Sequence, residues 1–406
     1  MRWFQRYRSH AAYRTKKQYR KLAHLAKTTL VEADLRTPSG RRFLELQFLL
    51  ENYLGQQFSS DQDGAHAAAS QLQNVLQNCD NITYEEPGAA EAYAFLHFLD
   101  RYHRFQLTFE RLNALKLMPL RGRRIDVLDI GTGPGPSMFA LSDFYVRTLR
   151  KGTSRDTDWG QQGFNIDYVE RSRSFRGWLH HFTEYVNDHC PTEVPWWVPF
   201  HHGKFYDFSG IQFDSAHLET TYNDHGDSRT REVKVKRRFD LIVMSNFLTT
   251  KGQVQSFSQE LQDCARYLRH NGIMIIVGAT NRSKKYQEVY DELKQLILDG
   301  RYSNRKLIAK MDAVDIGESI MKFSWNDTYG TRLKGMTERL FRQLLASSSS
   351  YIPAKAKSVL DATILPEYAR DIEWQIFVFK KSSRPRVTRP GNRQSGRSNT
   401  PAQACS

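Results

Sequence analysis

The feature that most constrains the fold is a short apolar segment that runs directly into three alternating glycines, Ile125-Asp126-Val127-Leu128-Asp129-Ile130-Gly131-Thr132-Gly133-Pro134-Gly135. Its aliphatic and β-branched residues predict a strand that is covered on both faces, as in a parallel sheet. Because glycine lacks a Cβ atom, the backbone after this strand can take left-handed angles and approach a ligand closely. Residues 137–141 then predict a helix whose first N–H groups point to the same place. The segment therefore predicts a ligand cradle at the carboxyl end of a parallel strand.

The spacing of the glycines indicates which ligand the cradle binds. A dinucleotide-binding fingerprint has glycine at the sixth position counted from Gly131, and this sequence has Pro136 there. Instead, an acid precedes the glycines in the pattern acidic-x-G-x-G-x-G, so residues 127–135 closely resemble the first motif of class I S-adenosylmethionine-dependent methyltransferases. The resemblance implies S-adenosylmethionine as the cofactor, bound through Asp129, Gly131, Thr132, Gly133, Pro134 and Gly135. An acid suits the ammonium group of the cofactor's methionine half, and a glycine-rich turn that binds nothing is the alternative.

A second carboxylate is expected where the next strand ends. Residues 164–169 predict that strand, and Glu170 follows it. In the family an acid at this place binds both ribose hydroxyls, and a carboxylate can accept two hydrogen bonds from a vicinal diol. We therefore expect Glu170 to bind the ribose. Asp167 is the weaker candidate, since it lies in mid-strand and alternation turns it to the opposite face.

The resemblance implies further contacts at the ends of the third and fourth strands. Asp207 lies where the family often places an acid near the adenine amino group. Residues 239–248 repeat the apolar pattern of the first strand and end in small polar residues, which gives Ser245 as a cofactor contact and Asn246 as a contact to the methyl acceptor. Methyl transfer is an in-line displacement at a sulfonium methyl, so proximity and desolvation can suffice without a catalytic dyad.

No metal site is expected from the histidine and cysteine pattern. His201, His202 and His225 lie near acids but lack the spacing of metal ligands, which favours solvated loops. The four cysteines are scattered without a C-x-x-C pair. His97 and His103 lie in a predicted helix, where a histidine is more often packed or solvated than catalytic.

The resemblance implies an α/β fold with a Rossmann-like, seven-stranded, mostly parallel sheet and helices on both faces, and the periodicity of the chain adds an α-helical region before the sheet. Apolar spacing predicts helices over residues 43–50, with Gly55 as the stop, over 65–76 and over 89–117. Residues 371–380 alternate like a final antiparallel strand. The expected division of the chain is a basic aromatic arm at 1–36, a helical cap at 37–120, a methyltransferase domain at 121–380 with insertions at about 151–163 and 211–236, and a basic disordered tail at 381–406.

The helical region and the segment Ala92-Tyr93-Ala94-Phe95 that leads into the sheet are faintly similar to the mitoribosomal small-subunit methyltransferase-like family. The cysteine-rich segment of that family is absent from this sequence. The resemblance to class I methyltransferases, which covers residues 124–380, is the more specific of the two.

The positive charge of the chain is concentrated near its two ends. Residues 1–31 hold nine Lys or Arg and residues 380–406 hold seven, and neither segment contains an acid. The remainder is nearly neutral, with 43 basic residues against 44 acidic ones. Aromatic residues among the basic ones of the first segment can stack on unpaired bases while Arg and Lys bind phosphates, so RNA or another polyanion is the expected partner of both segments. A basic helix packed on the body and an organelle transit segment are the alternatives for residues 1–31.

These patterns together predict an S-adenosylmethionine-dependent methyltransferase, with RNA as the hypothesis for its acceptor. Two alternatives stay open: a non-catalytic RNA-binding or assembly factor that keeps the fold, and a methyltransferase that acts on a small molecule or a protein. No apolar run approaches the ~18 residues that a membrane span needs. The expected location is therefore the cytoplasm, or an organelle if the first segment is a transit peptide.

Overall fold

The computed structural model describes residues 37–78, 82, 84–120, 125–150, 164–189, 205–206, 216–222, 228–234, 238–245, 248–280, 284–299, 301–303, 306–324, 327–347, 357 and 371–382. Of the two basic segments, only residues 380–382 fall within these ranges. The expected site residues Asp207 and Asn246 and the three histidines at 201, 202 and 225 lie outside the described residues.

Three helices precede a series of strands and helices. The initial helices are α1 (Pro38–Ser60), α2 (Gln62–Asn78) and α3 (Ala89–Ala114). The following elements are β1 (Ile125–Ile130), α4 (Pro136–Arg150), β2 (Phe164–Val169), α5 (Arg173–His189), β3 (Phe205–Tyr206), β4 (Ala216–Tyr222), β5 (Ser228–Lys234), β6 (Phe239–Ser245), α6 (Lys251–Ser256), α7 (Ser258–Tyr267), β7 (Leu268–Ala279), α8 (Lys284–Asp299), β8 (Arg301–Ser303), β9 (Lys306–Ala309), β10 (Met311–Ala313), β11 (Ile320–Ser324), α9 (Asp327–Ser347) and β12 (Asp371–Lys381). None of the described helices combines the length and the apolarity that a membrane crossing requires.

One main sheet contains most of the strands, in the order β10-β12-β7-β6-β1-β2-β3. Two short strands pair antiparallel with β12: β11 with its first half and β10 with its last residues. They lie one after the other along the same edge of the sheet, which is therefore seven strands wide. Five of these strands run parallel to one another: β1, β2, β3, β6 and β7. β12 is antiparallel to β7, as its alternating pattern predicts. The sheet therefore confirms the expected Rossmann-like, mostly parallel fold class.

The register of the central strands brings their carboxyl ends to one level. Ile130, the last residue of β1, is opposite Val169 of β2 and Met244 of β6. The residues that follow these three positions are Gly131, Glu170 and Ser245. In open parallel sheets this edge is where ligands bind.

The two faces of the sheet are covered by different helices. Val127 and Leu241 join a buried cluster that includes residues of α1 to α5 and α9, among them Phe98, Phe139 and Leu179. Neighbouring residues on the same strands, such as Leu128, point to a second cluster formed with α6, α7 and α8. This alternation is expected of strands that are buried on both sides. The helices before β1 thus share a core with the sheet.

One local expectation, the helix end at Gly55, requires correction. Gly55 does not end α1, which continues to Ser60. The glycine lies instead where α1 meets α9, since a Cβ atom there would come within 2.8 Å of Gln343 Oε1. Within β7, Asn271 has a φ of +66°, and β7 contains more residues than β6 between the pairs Phe239–Leu268 and Leu241–Ile273. The chain therefore bulges within the strand.

The insertion expected at about 211–236 contains a hairpin of β4 and β5, which pair antiparallel from Ala216–Lys234 to Tyr222–Ser228. Its strands lie between β3 and β6 in the chain and form a separate two-stranded sheet. The turn that joins them, residues 223–227, lies outside the described residues.

A buried carboxylate, Asp143, links the initial helices to α4, the helix that follows the glycine turn. Asp143 of α4 is fully buried. It accepts hydrogen bonds from Arg42 Nε of α1 at 3.1 Å, from Gln106 Nε2 of α3 at 3.1 Å and from Arg147 Nε at 2.7 Å. Glu45 accepts a further bond from Arg42 at 2.7 Å. Charged groups this deeply buried are tolerated only when they are paired, so the network fixes how α1, α3 and α4 lie against one another.

We predict that Asp143→Ala lowers the free energy of unfolding by about 3–5 kcal/mol, because two buried guanidinium groups lose their carboxylate. Urea denaturation followed by circular dichroism measures this change. Asp291→Ala is the matched control: Asp291 pairs with Lys294 at 2.6 Å on the surface of α8, and exposed pairs of this kind contribute less than about 1 kcal/mol. Equal losses in the two variants would contradict the role given to Asp143.

Candidate functional site

The glycine turn is held in left-handed backbone conformations. Gly131, Gly133 and Gly135 have φ angles of +70°, +57° and +96°. Gly131 N–H donates to the carbonyl of Val169 at 2.8 Å, so the turn starts by extending the pairing of β1 with β2. Left-handed angles cost a side-chain-bearing residue about 1–2 kcal/mol, which explains glycine at all three positions.

The glycines differ in what surrounds them. A Cβ atom at Gly135 would lie 2.4 Å from Leu179 Cδ1, so this glycine lets the turn pack against α5. Among the described residues, a Cβ atom at Gly133 would have only Phe175 Cε2 within 4 Å, at 4.0 Å. Thr132 and Pro134 are buried within the turn. Gly133 is therefore the position at which the bare backbone faces open space, and a ligand can approach it.

Asp129 lies under the turn and is completely buried. Its Oδ2 atom accepts hydrogen bonds from the hydroxyls of Thr132 and Ser137, which ties the end of β1 to the first turn of α4. Its Oδ1 atom is inaccessible to solvent and has no hydrogen-bond partner within the described part of the chain. Burial raises the pKa of Asp129 to about 6, although the Ser137 and Thr132 hydroxyls lower it. A buried acceptor without a partner is costly, and a cationic donor from a ligand would remove that cost.

Glu170 lies on the other side of the same turn. Its Oε2 atom accepts the Gly133 N–H at 2.7 Å, and its Oε1 atom accepts the Ser172 N–H at 2.8 Å. Burial raises the pKa of this carboxyl, and the N–H groups of Ser172 and Gly133 partly offset the effect. A carboxylate has about four lone-pair sites, so Glu170 keeps acceptor capacity for further donors such as the hydroxyls of a diol. Asp167 is fully buried within β2.

An aromatic cluster that the sequence did not predict lies next to the turn. Tyr84 and Phe175 lie 4.5 Å apart between ring centroids, and Tyr93 meets Phe175 edge-on at 5.3 Å. Tyr84 has a positive φ of +55°, which is uncommon for a residue with a side chain. Because these three residues come from separate segments, no spacing in the sequence signals that they meet beside Gly133.

A small cleft lies at the carboxyl ends of β6 and β7. It is lined by Ser245, Val277, Gly278 and Trp374 of the sheet and by Arg101, Arg104 and Phe105 of α3. Ser245, expected as a cofactor contact, thus lies on the side of the site that α3 covers. Asn246 follows Ser245 directly and Asp207 follows β3, so both remain predictions outside the described residues.

The two histidines of α3 have different environments. His103 is buried, lies 3.1 Å from Gln106 Oε1 and packs edge-on against Phe43 and Phe323. Burial lowers its pKa to about 4, as expected for a packed histidine. His97 is half-buried beside Tyr93. Within the described ranges, no three His, Cys, Asp or Glu side chains come together as a metal site.

Comparison with known proteins gives matches among solved structures. No protein-family model matches the chain, and no curated protein sequence matches it. The chain is similar to an S-adenosylmethionine-dependent methyltransferase from Geobacter sulfurreducens in complex with S-adenosylhomocysteine, at 13% identity over 69% of this chain and 97% of that one, with a TM-score of 0.35. It is also similar to YjhP of Escherichia coli (12% identity, 69% and 91% covered, TM-score 0.34) and to the plantazolicin methyltransferase in complex with S-adenosylhomocysteine (12% identity, 81% and 99% covered, TM-score 0.30).

The raised pKa of Asp129 predicts how binding of S-adenosylhomocysteine depends on pH. Above pH 7 the carboxylate is ionised and can attract the ligand's ammonium group, whereas below about pH 6 it takes up a proton. We expect the affinity to fall about tenfold between pH 7 and pH 5, as measured by isothermal titration calorimetry. Asp129→Asn should bind weakly with an affinity that hardly changes over this range. The same pH dependence in Asp129→Asn and in the unaltered protein would exclude this role.

Proposed function

We propose that the chain is an S-adenosylmethionine-dependent methyltransferase. The observation that carries this proposal is the placement of two carboxylates around one glycine turn, with Asp129 buried beneath it and Glu170 bonded to the Gly133 N–H. The Asp129 carboxylate beneath the turn disfavours a pyrophosphate there, and Pro136 replaces the last glycine of a dinucleotide fingerprint. They suit a ligand that has an ammonium group at one end and a ribose diol at the other.

The residues of the turn would act by binding and orientation. Asp129 Oδ1 is the acceptor for the ammonium group, and the remaining lone pairs of Glu170 accept the ribose hydroxyls. When bound, the cofactor supplies a methyl group activated on a sulfonium. α3 contributes its side chains to the cleft at the strand ends and so limits the access of water to the reacting groups. A general base is required only if the acceptor has to lose a proton, and Asn246 is the residue we propose for contact with the acceptor.

We propose RNA as the methyl acceptor. The support is the concentration of sixteen basic residues in segments 1–31 and 380–406, with no acid in either, beside a remainder that is nearly neutral. Such segments bind a polyanion by neutralising phosphates, which makes binding fall steeply with salt. The aromatic residues of the first segment can add stacking on unpaired bases.

Gly133→Ala tests whether a ligand approaches the open side of the turn. The new Cβ atom should strain the left-handed backbone by about 1–2 kcal/mol and crowd the bound ligand. Gly317→Ala is the matched control, because Gly317 has a φ of +70° and open space around it but lies in the loop between β10 and β11. We expect similar losses of stability, and a loss of S-adenosylhomocysteine binding, measured by calorimetry, in Gly133→Ala alone. Unchanged binding in Gly133→Ala would overturn the proposed site.

Transfer of a labelled methyl group from S-adenosylmethionine to fractionated cell extract tests the acceptor. We expect label in the RNA fraction, with transfer that decreases with salt and is lost when residues 1–31 and 380–406 are deleted. Label in the protein or small-molecule fraction instead would contradict RNA as the acceptor, while the proposal of methyl transfer would stand. Cofactor binding without any transfer would identify a non-catalytic factor that retains the fold.

A further inference from the structure

Residues 84–88, which form a strap between α2 and α3, lie against the start of α5. The carbonyl of Tyr84 accepts a hydrogen bond from the hydroxyl of Ser172 at 3.0 Å, and Oε1 of Glu85 accepts one from the N–H of Arg173 at 3.2 Å. Ser172 immediately precedes α5 and is buried. Because a hydrogen bond shielded from water is stronger than an exposed one, the Tyr84–Ser172 bond holds the strap to α5.

The backbone of the strap is fixed by contacts with two helices. Tyr84 has a φ of +55°, and a side-chain-bearing residue keeps such a conformation only where the surrounding structure determines it. Tyr84 is buried, and its ring centroid lies 4.5 Å from that of Phe175 in α5. At the other end of the strap, a Cβ atom at Gly88 would lie 2.2 Å from the backbone nitrogen of Ala68 in α2. The strap therefore joins the initial helices to the start of α5.

Ser172 connects the strap to the glycine turn. Its hydroxyl donates to the Tyr84 carbonyl and accepts the Phe175 N–H at 3.2 Å. Its own N–H donates to Glu170 Oε1 at 2.8 Å, and the other oxygen of Glu170 accepts the Gly133 N–H at 2.7 Å. A continuous series of hydrogen bonds thus runs from the strap, through Ser172 and Glu170, to the open position of the turn.

The orientation of the Glu170 carboxylate depends on the loop that carries it. The carboxylate is partly exposed, so its hydrogen bonds to Gly133 and Ser172 fix its direction more than packing does. Arg176 of α5 donates to the carbonyls of Glu170 and Arg171 at 2.8 and 2.6 Å, which also ties the loop to this helix. A binding group acts with full strength only when neighbouring residues hold it in the productive geometry. Contacts that place α5 therefore place the carboxylate.

We propose that the strap positions Glu170 for the ribose hydroxyls and that Ser172 is the positioning residue through which it acts. The inference rests on the proposed function, because Glu170 is the proposed ribose contact. It adds that the helical region before the sheet determines how strictly the site requires a ribose. A 2′-deoxyribose leaves one acceptor position of an oriented carboxylate without its donor, and this loss matters less if the carboxylate is free to turn.

Amide hydrogen exchange of Gly133, measured by NMR on the full chain without ligand, tests the positioning. We expect exchange at Gly133 to be at least about tenfold faster in Ser172→Ala, because Glu170 no longer accepts this N–H in a fixed orientation. Val243, paired with β1 and β7 on its two sides, reports that the sheet is intact. If Ser172 only caps α5, exchange would increase in the first turn of that helix and stay unchanged at Gly133, which would overturn the proposal.

Three further variants separate the strap from a general effect on α5. Ser172→Thr keeps the hydroxyl and should keep the slow exchange at Gly133. Thr183→Val removes a buried hydroxyl farther along the same helix and should also leave Gly133 unchanged. Tyr84→Gly tests the strap itself, because glycine accepts the left-handed backbone but loses the ring contact with Phe175. We expect faster exchange at Gly133 in Tyr84→Gly, and an unchanged rate there would contradict a role of the strap.

Calorimetry with S-adenosylhomocysteine and its 2′-deoxy analogue tests the consequence for binding. We expect the unaltered chain to prefer the ribose ligand at least about tenfold, Ser172→Ala to lose most of this preference, and Thr183→Val to keep it. Equal weakening of both ligands in Ser172→Ala would overturn the positioning role and leave the proposed function standing. Exchange at Gly133 that responds to Ser172 and Tyr84, in a chain that binds neither ligand, would support the hold of the strap on Glu170 and overturn the methyltransferase.

Discussion

The hydrogen bond from the Gly133 N–H to the Glu170 carboxylate depends on the parallel register of β1 and β2, and the candidate site depends on this bond. The register ends both strands at the same level, so that the residue after β2 reaches the turn after β1. A shift by one residue would turn Glu170 to the other face of the sheet. Asp129 and Glu170 then approach the turn from two sides, Asp129 fully buried and Glu170 partly buried, and this burial makes both carboxyls sensitive to the charge of a ligand.

The initial helices contribute to the site because they share the core of the sheet. The buried network around Asp143 joins α1 and α3 to α4, and α4 begins at the glycine turn. The position of α3 relative to the turn is therefore fixed by the same contacts that stabilise the fold. As a result, the arginines of α3 lie at the ends of β6 and β7, and the aromatic cluster lies beside Gly133.

Local sequence patterns predicted those structural features that are determined by residues close together in the chain. The strand and turn at 125–135 and the antiparallel last strand follow from alternation and spacing over a few residues. The placement of Glu170 beside the turn was implied by the resemblance, and it depends on the register between β1 and β2. Gly55 was misinterpreted as a helix end because its role depends on Gln343, far along the chain. The arginine cleft and the Tyr84–Phe175 contact also require the tertiary fold, and a single sequence does not contain that information in its spacing. Asp207 and Asn246 remain predictions from the resemblance.

The most direct test is a crystal structure of the full chain with S-adenosylhomocysteine. We predict that the ribose hydroxyls lie within hydrogen-bonding distance of Glu170 and that the ligand's ammonium group lies next to Asp129 Oδ1, with the backbone of Gly133 in contact with the ligand. A ligand bound elsewhere, or a turn at Gly133 that stays covered by the protein itself at saturating ligand, would contradict the assignment of this edge of the sheet as a cofactor site.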